Sequence, residues 1–161
     1  MNYRSGSWDW EDRGTNVDLK TLNQTWYSVT LGHFSKKPRV SMAMTTNPAW
    51  ADTVRRNLNS AIFSKYWRGK AFNSSKVSKN DDRAQALAVL AWSRSAACMG
   101  RCKENFCPNR NTPAPNMACF VLQALCEMNN TQDALNRMRR RYRVTADSVY
   151  TTLWERFELA P

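Results

Sequence analysis

No apolar run in this chain approaches the roughly 18–20 residues of a membrane-crossing helix. The opening Met1-Asn2-Tyr3-Arg4-Ser5 also lacks the apolar core of a signal peptide. A helical span within the chain is therefore excluded, and no export signal is read at its start. Histidine is nearly missing: His33 stands alone, far in sequence from every cysteine. Acidic residues are few, 13 against 24 lysines and arginines, which sets the formal charge at +11. Strand-like alternation of apolar and polar residues is almost absent, and no convincing internal repeat is found.

What is present fits one helical domain. The 161 residues, 42% of them hydrophobic, are enough for a modest core and argue against wholesale disorder. A charge of +11 raises the question of nucleic acid, but the basic residues do not form a reading surface. Arg137, Arg139, Arg140, Arg141 and Arg143 are the densest cluster, and Arg55-Arg56, Lys65 and Lys76 are scattered among polar residues. Arg137 and Arg141 share a helix face with one another and with Asp133, as on a solvated surface. The expectation is no specific nucleic-acid partner and no membrane partner.

Five cysteines stand at 98, 102, 107, 119 and 126. Cys98-x3-Cys102-x4-Cys107 invites a zinc reading, yet zinc sites usually come as two close pairs, often with histidine. The expectation is no metal and no cofactor. Cys119 and Cys126 fall one heptad apart in an apolar helix and read as small core residues. The odd count leaves at least one free thiol. Three N-x-S/T sequons, at Asn23, Asn73 and Asn129, are common by chance.

Helical spacing organises the rest. Thr15 to about Phe34 reads as a helix capped by Thr15 or Asn16, with Leu19, Leu22, Trp26, Val29 and Leu31 at near-helical spacing. Asn47-Pro48 opens a second, because proline at the first helical position gives up an N–H that has no partner there anyway. It places Trp50, Val54, Leu58, Ile62 and Tyr66 on one face and ends at Arg68-Gly69-Lys70. A third helix starts on Asp81-Asp82, acids that favour the positive end of the helix dipole. It is apolar nearly all round through Trp92, the mark of a buried helix. Residues 95–116 read as a loop. A second all-round apolar helix runs from about Met117 to Met128. Thr131 then opens an amphipathic helix with Ala134, Leu135, Met138 and Tyr142 inward and the arginines outward. Residues 84–92 and 117–128 are expected to be the most buried. Covered helices alternating with amphipathic ones suggest a two-layer arrangement of α-hairpins, so the fold class is all-α.

Two short elements carry possible chemistry. Tyr150-Thr151-Thr152-Leu153-Trp154-Glu155 sets an acid beside an indole and two hydroxyls, a combination suited to a sugar, whose CH faces stack on aromatics while the acid handles protons. Alone, it reads equally well as a helix start. Trp8-Asp9-Trp10-Glu11-Asp12-Arg13-Gly14-Thr15-Asn16 is a second aromatic–acid cluster at the other end.

Taken in order, four elements resemble the α-L-rhamnosidases of glycoside hydrolase family 78. They are Trp8 to Asn16; Lys65-Tyr66-Trp67-Arg68-Gly69-Lys70-Ala71-Phe72; Asn80-Asp81-Asp82-Arg83 leading to Leu90; and Ala134-Leu135-Asn136-Arg137-Met138 leading through Arg141-Tyr142 and Asp147-Ser148 to Glu155. The resemblance covers most of the chain except about 95–112 and 37–47. It implies that residues 1–161 are part of a six-hairpin (α/α)6 catalytic domain, a partial toroid. The family hydrolyses terminal α-L-rhamnosides with inversion, using a carboxylic general acid and a carboxylate base.

Carried over residue by residue, Glu155 matches the base that activates water, and Trp154, Trp10 and Asp12 match substrate-contacting positions. Asp82 and Arg83 match the start of an inner helix near the cavity, where a cap with a helix-start ion pair explains them as well as a substrate role. The implied partner is a rhamnose-containing carbohydrate, with the remaining barrel segments or a second copy as further partners. Full-length relatives are compatible with export, so the compartment stays open.

Departures from the family are specific. Glu11-Asp12-Arg13 stands where the family tends to read Gly-Asp-Trp. Asn116 and Ala118 stand where Tyr and Glu are usual. By the resemblance, the general acid belongs upstream of the Asp-Trp-rich loop, and a His- and Trp-containing segment follows Glu155. The expectation is therefore a truncated, divergent domain inactive on its own. The alternative is a non-catalytic helical module that binds carbohydrate or an acidic partner.

Overall fold

The computed structural model describes residues 17–36, 48–74, 81–92 and 115–148. Within them run five helices: α1 (Leu19–Lys36), α2 (Pro48–Tyr66), α3 (Asp82–Ala91), α4 (Pro115–Glu127) and α5 (Thr131–Ala146). The only extended pairing among the described residues is the isolated bridge between Trp67 and Phe72. The fold class is all-α, as the periodicity predicts.

Asp18, rather than Thr15 or Asn16, starts α1. Its carbonyl accepts from Leu22 N at 2.9 Å, and its carboxylate accepts from the Thr21 backbone N–H and hydroxyl at 3.3 and 2.9 Å. These bonds satisfy donors that a helix start leaves orphaned. Leu22 and Leu31 are buried as expected, but the row Thr21, Thr25 and Ser28 is also fully buried. Such hydroxyls need internal partners. Thr25 Oγ1 donates to Thr21 O at 2.8 Å, and Ser28 Oγ donates to Asn59 Oδ1 on α2.

Helices α1 and α2 are antiparallel neighbours. Gln24 Nε2 donates to Tyr66 Oη at 3.1 Å, Ser28 meets Asn59, and Gly32 lies against the Arg55 side chain. The inward face of α2 is turned from the expected one. Ala51, Asn59, Ile62 and Tyr66 are buried, Val54 and Leu58 half-buried, and Trp50 is 57% exposed. Asn59 accounts for the turn, since it accepts from Ser28 and lies 3.4 Å from Ala91 O.

The chain leaves α2 through a tight turn in which Arg68 N donates to Ala71 O at 2.9 Å. Gly69 takes φ +81°, a left-handed backbone that glycine adopts without a Cβ clash. Gln85, fully buried on α3, then grips Phe72 at both backbone groups. Its Oε1 accepts from Phe72 N at 2.9 Å and its Nε2 donates to Phe72 O at 2.6 Å. Around this anchor Phe63, Trp67, Phe72 and Trp92 form one aromatic cluster, with Phe72 stacked on Trp92 at 5.2 Å.

Helix α3 is buried from Asp82 to Val89 and again at Ala91, in keeping with its all-round apolar sequence. It lies between α1 and α4. Leu22, Ala84, Leu87 and Met117 make one core cluster; Ile62, Tyr66, Phe72, Val89, Val121 and Leu125 belong to a larger one. The equally deep burial expected of α4 is not found. Met117, Ala118, Val121, Ala124 and Leu125 face inward, while Cys119, Gln123, Cys126 and Glu127 are exposed. Cys119 and Cys126 are exposed and outside any disulfide, rather than core residues. One side of α4 covers α3 and the other meets water.

Helix α4 ends in a Schellman motif. Asn130 N donates to Leu125 O and Asn129 N to Cys126 O, both at 2.9 Å, with Asn129 at φ 55°. Asparagine is the usual stand-in for glycine at this left-handed position. It turns the chain back as α5.

The expected face of α5 is corrected. Ala134, Arg137 and Thr145 are buried, whereas Leu135 is 38% and Met138 43% exposed. The inward row is Ala134, Arg137, half-buried Arg141 and Thr145, at helical spacing, and Tyr142 is also half-buried. An ion pair, rather than the apolar stripe, sets the rotation of this helix.

Candidate functional site

The starts of α1 and α3 meet. Asp18 N donates to Asp81 Oδ2 at 3.0 Å. Asp81 caps α3: its Oδ1 accepts from Arg83 N at 3.0 Å and from Arg83 Nε at 2.8 Å. Asp18 Oδ2 accepts from Ser74 N at 2.8 Å, which ties the segment after the Gly69 turn to the same point. Asp18, Asp81, Asp82 and Arg83 are each no more than 3% exposed. Ionised side chains are seldom buried so completely unless paired. Helix N-termini help, because their positive dipole ends and free N–H groups favour carboxylates.

Asp82, the first residue of α3, differs from its neighbours. Its Oδ2 accepts from Arg137 Nη2 at 2.7 Å, joining α3 to α5. Its Oδ1 has no hydrogen-bond partner, and neither has Arg137 Nε. Burial pushes the carboxyl up to about 6; Arg137 works against the shift, Asp81 adds to it and Arg141 opposes it. Arg141 is drawn down to about 10, chiefly by its own burial and next by the Arg137 charge. The group of interest is thus a buried carboxyl that exchanges its proton near neutral pH, beside a buried guanidinium. Such an acid can donate a hydrogen bond when protonated and accept one when ionised.

Of the site residues expected from sequence, Asp82 and Arg83 fall in this cluster, adjacent but differently engaged. Arg83 turns to Asp81, and Asp82 to Arg137. Glu155, Trp154, Trp10 and Asp12 lie outside the described residues, as do Cys98, Cys102 and Cys107. Sequence reasoning missed Asp18, a cap three residues before Thr21, and left Asp81 without a role of its own. It also missed Arg137. The available signal was the row Ala134, Arg137, Arg141 and Thr145, which puts small side chains on the arginine face.

Among the described residues no group of three or more His, Cys, Asp or Glu side chains is placed to hold a metal ion. None of the described helices is long and apolar enough to cross a membrane.

At the opposite end of α1 and α3, a cleft of about 110 Å³ is lined by Gly32, His33, Arg55, Ala91, Phe120 and Glu127, among others. Residues from the later parts of α1, α3 and α4 thus meet there, and their earlier parts meet around Leu22, Ala84 and Met117. The three helices run parallel.

Comparison of the chain with family models, curated proteins and solved structures finds no match.

Proposed function

We propose that this chain is part of an inverting α-L-rhamnosidase-like domain, a partial (α/α)6 toroid, with Glu155 as the water-activating base. Trp10, Asp12, Trp154, Asp82 and Arg83 contribute to the sugar site. The observation that carries the reading is the order of four motifs along the chain, from Trp8 through Trp67 and Asp82 to Glu155. The parallel run of α1, α3 and α4, with acids at the start of α1 and α3, is compatible with inner helices opening toward a cavity. An inverting glycosidase needs two carboxyl groups about 6.5–9.5 Å apart. The motifs assign one, so the chain assayed alone is expected to turn over negligibly. Loss of a general acid by itself costs about 10²–10⁴-fold.

The test has two parts. Calorimetry should detect L-rhamnose binding to residues 1–161, weakened by Trp154→Ala and stronger than that of L-fucose or D-glucose. Equal or no binding of all three sugars would overturn the sugar reading. An aryl α-L-rhamnoside should be hydrolysed negligibly by the native chain and by Glu155→Gln alike. Robust turnover abolished by that substitution would uphold the base and refute the inactivity.

A second reading, a non-catalytic module for an acidic partner, is favoured by the exposed Arg139, Arg140 and Arg143 on α5. Binding of acidic peptides that ignores rhamnose would select it.

A further inference from the structure

The cleft formed by the later parts of α1, α3 and α4 lies at the far end of α3 from the Asp18–Asp81–Asp82 group. It is open to solvent, and it stands apart from the sugar reading. Its walls carry opposite charges: Arg55 lines it from α2 and Glu127 from the end of α4. Glu127 is exposed and makes no ion pair among the described residues. Arg55 is held by Asp52 at 2.9 Å, but Asp52 also pairs with Arg56 at 3.2 Å. One carboxylate is thus shared between two guanidiniums, and neither Asp52 nor Arg56 is on the lining. Arg55 Nη1 also leans on Ala91 O at 3.5 Å, and each Nη nitrogen keeps a second N–H unspent. The side chain is 25% exposed. Its Nε is buried, so a ligand meets the Nη edge.

The rest of the lining sets size and polarity. Val29, Leu90 and Phe120 make an apolar side, with Phe120 fixed edge-on to Trp26 at 4.8 Å. Gln123 and the imidazole of His33 in its neutral form each offer a donor and an acceptor, so they oppose neither charge. Ala91 O already accepts from Arg55 and Asn59. A simple anion would face Glu127, and a simple cation would face Arg55. A molecule carrying both charges matches both walls. The volume of about 110 Å³, against about 30 Å³ for each water in the liquid, admits roughly half a dozen non-hydrogen atoms. We propose that this cleft binds a small zwitterionic α-amino acid, its carboxylate on Arg55, its ammonium on Glu127 and its apolar side chain against Phe120. Gly32 keeps the floor clear. A Cβ there would stand 3.4 Å from Arg55 Cδ with nothing else within 4 Å. Alanine at this position therefore fits the empty protein and takes up space that the ligand needs.

The 161-residue chain is titrated near neutral pH, where both ligand charges are present, with L-alanine, propionate and ethylammonium. Propionate lacks the ammonium, and ethylammonium lacks the carboxylate. Each should bind about tenfold more weakly than L-alanine, the worth of a hydrogen bond to a charged group. In Glu127→Gln, a change at an exposed position, the gap between L-alanine and propionate should close. Gly32→Ala should weaken L-alanine binding while leaving the melting temperature unchanged or raised, because alanine is the better helix former. A merely structural role for Gly32 would not separate these two readouts. Absence of saturable L-alanine binding overturns the proposal. Propionate or ethylammonium binding as tightly as L-alanine also overturns it, as does a gap that persists in Glu127→Gln. Unchanged affinity in Gly32→Ala places the amino acid elsewhere and overturns the site. The three-ligand series on the native chain decides without any substitution.

Discussion

Asp18 and Asp81, 63 positions apart, are joined by a single hydrogen bond of 3.0 Å from the backbone N–H of one to the carboxylate of the other. Through it the start of α1 is fixed against the start of α3. The Asp81 carboxylate also caps α3 and holds the buried Arg83. Replacing it should affect two helices together. Asp81→Ala removes a cap worth about 1 kcal/mol and strands a buried guanidinium, a loss on the order of 3–5 kcal/mol. Urea unfolding should show a destabilisation of about that size. A change below about 1 kcal/mol would mean that the acid is dispensable.

Asp82 gives the stability a definite pH dependence. Its carboxyl is raised, mainly by burial, from 3.8 to about 6 in the folded chain. The folded state therefore keeps a proton that the unfolded chain releases between these values. The unfavourable contribution of the buried charge is absent below about pH 4, grows as pH rises, and is complete above about pH 6. It amounts to roughly 3 kcal/mol. Asp82→Asn lacks this titration, so its stability relative to the native chain should improve by about that much between pH 4 and pH 7. A difference that stays constant with pH would refute the assignment.

The rotation of α5 makes a contrast between two neighbouring residues. Met138, on the outward side, should tolerate glutamine within about 0.5 kcal/mol. Arg137→Ala leaves Asp82 buried without its cation and should cost on the order of 3–5 kcal/mol. Thermal melts of the two variants would show the opposite order if the apolar stripe faced inward.

Gln85 holds both backbone groups of Phe72. Gln85→Leu keeps the volume roughly but orphans a buried N–H and a buried C=O. The expected loss in chemical denaturation is about 2–6 kcal/mol, from about 1–3 kcal/mol for each unmade bond.

At Asn129 the left-handed backbone favours glycine. Asn129→Gly should leave the melting temperature unchanged or raise it slightly, and Asn129→Val should cost about 1–2 kcal/mol. Equal melting of both variants would exclude a left-handed residue there.

The helices themselves are legible in the sequence, because Pro48, Asp81-Asp82, Gly69 and Thr131 mark ends by local chemistry. Faces are harder to read. On α2, Trp50 and Asn59 exchange the environments their side chains suggest, because Asn59 finds Ser28 on α1 and a carbonyl at the end of α3. On α5, Arg137 turns inward for Asp82, 55 positions earlier, and Leu135 and Met138 turn outward with it. Cys119 and Cys126 lie outside the core because α4 turns Met117, Ala118, Val121, Ala124 and Leu125 toward its neighbours α3 and α5. In each case the deciding contact is distant in sequence, where periodicity has no reach. Asp82 and Arg83 are readable as a helix start rich in charge, but their division of partners depends on α5.

The parallel run of α1, α3 and α4 gives the described part of the molecule an electrical direction. Parallel helix dipoles add, each carrying about half a positive charge at its start and half a negative one at its end. The starts gather carboxylates at Asp18, Asp81 and Asp82. At the end of α3, the carbonyl of Ala91 is approached by Arg55 Nη1 at 3.5 Å and by Asn59 Nδ2 at 3.4 Å. Fixed side chains thus oppose the backbone field at both ends. A substitution that neutralises one end leaves the side chains at the other in place, so charge changes at Asp81 and at Arg55 should each be felt mainly in the adjoining turn of α3.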